Sequence, residues 1–144
     1  MRIFKIVMVI LRLGLGGLFI YGGIQKFIPK PPRPQTEVSA DLPDHVVKIK
    51  AYIGGLKQTP YFWPMLGVVE LAGGILLVSQ YLALLGAVLL MPVIVNIFLF
   101  HLFLKPHDTG DLIMTTLYLL ANITIIGWYY PSLKATFLNF KTIF

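Results

Sequence analysis

Four long apolar runs leave this chain few ways to fold. They occupy residues 3–28, 61–78, 82–103 and 112–130. Each supplies about 20 residues, which as a helix crosses roughly 30 Å of hydrocarbon. A soluble core does not need four such runs in 144 residues. The composition agrees: 57% of residues are hydrophobic and the mean hydropathy is +0.80, far above soluble proteins. The expectation is an all-α integral membrane protein, with residues 1–144 forming a single transmembrane domain.

The first run begins MRIFKIVMVILR, which superficially resembles a secretory signal. Its apolar part continues past Arg12 to Ile28 with no small-residue cleavage site, so it reads as a retained helix. The chain has no cysteine, and so can supply neither a disulfide nor a thiol relay. Any redox role must rest on a bound cofactor or a partner. The net charge of +6 belongs to the membrane surface. No basic cluster with interleaved aromatics marks a soluble segment, which excludes a nucleic-acid partner.

Residues 29–60 form a long connection between the first two runs. It opens with Pro29-Lys30-Pro31-Pro32-Arg33-Pro34, where prolines stop the helix and favour an extended path. Farther on, Val46, Ile49, Ile53 and Leu56 recur at helical spacing with Lys48, Lys50 and Lys57 interspersed. That predicts a short amphipathic helix on the membrane surface or capping the bundle, loosened at its end by Gly54-Gly55. Tyr61-Phe62-Trp63 then anchor the second span at the interface. The connections Ser79-Gln80-Tyr81 and 104–111 are short, so an up-down-up-down four-helix bundle follows.

For orientation, the side expected to hold both termini carries Arg2, Lys5, Lys134 and Lys141 and no acid. The opposite side has more basic residues, diluted by Glu37, Asp41, Asp44, Asp108 and Asp111. A raw count leans the other way, but the first helix usually dominates. We place the termini in the cytoplasm.

The polar residues inside the runs are the candidate site. At about 1.5 Å per residue from the loop side, Glu70 lies at roughly 15 Å, Asn96 at about 12 Å and Asn122 at about 16 Å. Arg12 lies at roughly 24 Å on the same scale. Arg12, Gly16, Phe19, Gly23 and Lys26 share one face of the first span; Asp111, Thr115, Tyr118, Asn122 and Tyr129 form a stripe on the fourth. Asn96 and His101 point about 140° apart on a regular helix. A charge at the bilayer centre costs about 2.5–3.5 kcal/mol, so Glu70 needs compensation. Either it is ionised beside Arg12 or Lys26, or desolvation leaves it protonated and donating a hydrogen bond. The plainer alternative is that Glu70 and Arg12 only hold the bundle together. His101, near the loop-side end of its span, reads as an interfacial hydrogen-bonding group, a proton carrier or a ligand contact. His45 and His107 lie outside the spans, so neither a bis-histidine haem nor a zinc site is expected. The glycines of Gly14–Gly23 have no preceding strand and serve helix packing rather than phosphate binding.

LGLGGLFIYGGIQKF in the first span, YFWPMLGVVELAGGILL in the second and PVIVNIFLFH in the third resemble the DoxX family of small four-helix membrane proteins. The resemblance covers nearly the whole chain. The family's glycine-then-lysine ending of span one matches Gly22, Gly23 and Lys26; its glutamate matches Glu70 and its histidine matches His101. A basic residue that many members carry between spans two and three is missing from SQYLAL, so its role does not transfer. The resemblance implies a multi-pass protein of the bacterial inner membrane. Some members are associated with quinone-linked sulfur oxidation or membrane oxidoreductase complexes, and a distant relative is a receptor-assembly chaperone.

Two expectations follow. In the first, the chain is a small subunit that binds a quinone-like molecule or other lipid and serves a redox complex, not catalytic alone. Glu70 would handle a proton; Asn96, Asn122 and Tyr118 would orient the headgroup; His101 and Lys26 would lie near the mouth. In the second, the chain is a non-enzymatic assembly factor or structural subunit of a larger complex. A transporter is the weaker reading, since the chain has no inverted repeat. Both expectations place the chain in the lipid bilayer beside a protein partner.

Overall fold

A computed structural model describes residues 2–29 and 42–137. The extended path expected through Lys30–Pro34, and the charges of Glu37, Asp41 and Lys141, lie outside the described residues. Within them the chain is all-helical: α1 (Arg2–Gln25), α2 (Asp44–Gln58), α3 (Phe62–Val78), α4 (Ala83–Leu104), α5 (Thr109–Trp128) and α6 (Tyr130–Phe137).

α1, α4 and α5 are each long and apolar enough to cross a membrane. α3, at 17 residues, sits at the lower limit for spanning and follows α2 across Thr59–Tyr61 at 88°. α2 is therefore the expected amphipathic helix, lying across the axis of α3. One detail differs: α2 runs straight through Gly54 and Gly55 to Gln58. Contacts with α3 and α4 along Ile53 and Leu56 offset the modest helix cost of two glycines.

α1 packs most extensively on α3, α3 on α4 and α4 on α5, with a thinner contact between α1 and α5. The core gathers Met8, Leu15 and Phe19 of α1, Leu77 of α3, Ala87, Leu90 and Ile94 of α4 and Ile125 of α5. Large apolar side chains such as Ile10, Ile75, Leu85 and Ile113 point outward, while Arg12, Glu70, Thr115 and Asn122 are buried. Polar groups inside and aliphatic ones outside suit a chain solvated by lipid.

Glycines make the α1–α3–α4 contact close. A Cβ on Gly74 would stand 2.7 Å from the Gly16 carbonyl oxygen, and one on Gly86 would stand 2.7 Å from that of Gly73. Only a residue without a side chain lets backbones approach so far, the basis of small-residue packing in membranes. By contrast Gly14 and Gly17 face open space.

Candidate functional site

The α1–α3 register decides which charge meets Glu70. Gly16 lies against Gly74 and Leu77, and Gly23 against Gly67 and Leu71. Lys26, one turn beyond Gly23, therefore reaches the level of Glu70, whereas Arg12 falls beyond Leu77. Lys26 Nζ donates to Glu70 Oε2 at 2.5 Å, with side-chain exposures of 15% and 4%. Gly23 permits this approach, since a Cβ there would stand 2.9 Å from the Gly67 carbonyl oxygen, and the Gly22 carbonyl oxygen lies 3.5 Å from Lys26 Nζ. The glycine-then-lysine ending of α1 thus has a geometric reason. Trp63 lies under two cations, with its ring centroid 5.6 Å from Lys26 Nζ and 5.2 Å from Lys57 Nζ.

The pair forms part of the wall of a cavity of about 420 Å³ between α2, α3 and α4. Asn96 and His101 also line it, together with the aromatic rings of Tyr52, Phe62, Trp63 and Phe100. Their divergence around α4 does not separate them, because α2 lies across that helix and the cavity wraps its surface. Tyr52 donates to Asn96 Oδ1 at 2.9 Å and its ring contacts Phe100 at 5.6 Å. With Oδ1 engaged, the remaining polar group of Asn96 is its NH₂ donor. Pro92 in the same wall offers no N–H to the Val88 carbonyl one turn back.

His101 Nδ1 is 2.8 Å from the Ile97 carbonyl oxygen. A carbonyl only accepts, so Nδ1 carries the proton. Nε2 then faces Asp111 Oδ2 at 3.7 Å. Asp111 in turn accepts from Lys105, which also bonds Asp108, at 2.8 and 2.9 Å. This cluster closes the turn before α5, where Asp108 accepts from the backbone N–H of Asp111. The Lys105 hydrogen bond holds the Asp108 carboxyl below its ordinary 3.8, and the two carboxylates raise the Lys105 ammonium above 10.5.

Three expected site residues lie elsewhere. Asn122 is fully buried and donates to the Ala87 carbonyl at 3.0 Å and toward Met91 Sδ at 3.4 Å, tying α5 to α4. Tyr118 lines a separate groove between α1 and α5. Arg12 does not meet Glu70; it donates to Gln80 Oε1 at 3.1 Å and stacks on Tyr129 at 5.0 Å. Sequence reasoning missed Tyr52 as a site residue. The signal was present: Tyr52 falls three residues after Ile49 and four before Leu56, at the edge of the half-buried stripe of α2.

A family model, DoxX, matches residues 7–102 and takes in Lys26, Glu70, Asn96 and His101. The chain belongs to the DoxX family. Its apolar helices and this membership make it an integral, multi-pass membrane protein. In this DoxX chain the match ends before α5, so it contains the whole cavity but neither Tyr118 nor Asn122. No curated protein and no solved structure matches the chain. Among the described residues no three His, Cys, Asp or Glu side chains gather as a metal ion would need.

Proposed function

We propose that this DoxX protein is a small subunit of a membrane redox complex whose α2–α3–α4 cavity binds a lipophilic molecule with a quinone-like head. The observation that carries the reading is the Lys26–Glu70 pair set into an otherwise apolar, aromatic-walled cavity that also holds Asn96. A quinone head is flat, apolar on its faces and acceptor-bearing at its carbonyls. Aromatic walls suit the faces, and the Lys26 ammonium and Asn96 NH₂ suit the carbonyls. Reduction to a quinol takes two electrons and two protons. A catalytic partner supplies the two electrons and one proton, and Glu70 relays the other proton to a carbonyl. The Tyr52–Asn96 bond fastens α2 over the cavity.

The same proposal sets the four spans in an up-down-up-down path in a bacterial inner membrane, with the termini cytoplasmic. The pairing of Gly16 with Gly74 and of Gly23 with Gly67 supports the first step of that path. Because the chain has no cysteine, single cysteines at Lys134 and Lys50 report its orientation by their accessibility to an impermeant maleimide in intact cells. Labelling of position 134 in place of position 50 would reverse it.

A second reading is a structural or assembly subunit. It draws on the fact that Glu70 is already neutralised by Lys26, which ties α1 to α3 with no ligand needed. Mass spectrometry of small molecules extracted from the protein in mild detergent separates the two. The redox reading expects a quinone enriched in the wild type and depleted at least fivefold in Asn96→Leu and Tyr52→Phe, which leave the ion pair intact. Equal quinone content in all three, with all equally folded, favours the structural reading.

A further inference from the structure

The far end of the bundle holds a second charge, and no described residue around it neutralises that charge. Arg12 is 7% exposed. A guanidinium stays protonated in proteins, so a full positive charge is buried there. Its partners are neutral: the Gln80 amide oxygen at 3.1 Å and the face of Tyr129 at 5.0 Å. Arg12 Nε is buried without any partner among the described residues. The described carboxylates sit elsewhere: Glu70 with Lys26, Asp108 and Asp111 with Lys105, and Asp44 at the start of α2.

Arg12 also lines a cavity of about 270 Å³ with Lys5, Met8, Val9, Trp128 and Tyr129. Lys5 stands two turns before Arg12 on the same face of α1 and is exposed. The cavity thus has two cations, no acid among its described walls, and a Trp–Tyr rim of the kind that sits at headgroup depth. The geometry around Arg12 is built rather than incidental. Gln80 has a left-handed backbone, φ 63°, and its amide NH₂ is 3.2 Å from the Val78 carbonyl oxygen, so Oε1 is the end presented to Arg12. A non-glycine residue adopts that φ at a cost, which the arginine contact offsets.

We infer that this Arg12–Lys5 cavity binds a phosphate-bearing anion, supplied by the headgroup of an anionic lipid or as free phosphate. Phosphate oxygens accept from the donor fork of arginine, and a basic pocket between transmembrane helices is suited to a lipid phosphate. This site lies at the opposite end of α1 from Lys26 and is independent of the quinone reading.

Trp128 is a local reporter, since the chain has only two tryptophans. In a Trp63→Phe background, brominated phosphatidylglycerol should quench Trp128 at about one-tenth the mole fraction that brominated phosphatidylcholine requires. Arg12→Gln should abolish that preference; Lys5→Gln, at an exposed position, should reduce it without disturbing the fold. Millimolar inorganic phosphate should displace the brominated lipid if the site takes the free anion, and leave quenching unchanged if the lipid is its source. Equal quenching by the two lipids with no effect of phosphate on Trp128 would overturn the inference. So would a preference that survives in both Arg12→Gln and Lys5→Gln.

Discussion

Replacing Lys26 by methionine keeps the aliphatic stem and removes the charge, so it isolates the ion pair. Glu70 is left with its side chain 4% exposed and no cation in contact among the described residues. Removing one partner of a buried pair typically costs about 3–5 kcal/mol, because the survivor is stranded away from water. Lys26 is only 15% exposed, so solvent screening takes little from that figure. Glu70→Leu strands the lysine instead, but its stem can carry the ammonium toward the membrane surface, so this variant should cost less, about 1–3 kcal/mol. Lys26→Met with Glu70→Leu leaves no charge behind and should fall within about 1 kcal/mol of the wild type. Far-UV circular dichroism of reversible unfolding in mixed detergent–SDS micelles measures all four proteins in one double-mutant cycle. If the double variant is as unstable as the sum of the singles, the two side chains are not coupled and Glu70 does not depend on Lys26.

Gly74→Val should destabilise by about 1–3 kcal/mol or block folding, because its Cβ would meet the Gly16 carbonyl oxygen at 2.7 Å. Gly17→Ala, facing open space, should stabilise by up to ~1 kcal/mol; the same SDS titration checks both. The depressed Asp108 carboxyl contributes stability that is present above 3.8 and lost as pH falls through its lower folded value. Lys105→Ala should return the Asp108 midpoint, followed by carbon-detected NMR, up toward 3.8. Asn122→Leu should loosen α5 from α4 by removing the bond to the Ala87 carbonyl, yet leave small-molecule retention unchanged. Loss of the retained molecule in that variant would contradict the separation of Asn122 from the cavity.

Much of the architecture is legible along the chain, because lipid as a solvent demands long apolar helices with satisfied backbones. The four runs, the amphipathic stripe of α2 and the small-residue contacts all follow from local composition. So does the need of Glu70 for a partner, since a lone carboxylate is costly in hydrocarbon. Which partner it takes does not follow. Arg12 and Lys26 share a face of the first apolar run, and only the register set by Gly16 on Gly74 and Gly23 on Gly67 brings Lys26 to Glu70 and sends Arg12 to Gln80. Depth along separate helices placed Glu70, Asn96 and Asn122 in one layer, but depth says nothing of azimuth. Packing turned Asn122 into the α4–α5 seam, while α2 folding across α4 brought Asn96 and His101 into the wall of one open-sided cavity. Periodicity is a property of one helix and can be read from its residues. A site built from four helices depends on how their backbones nest, and that is decided only where the helices meet.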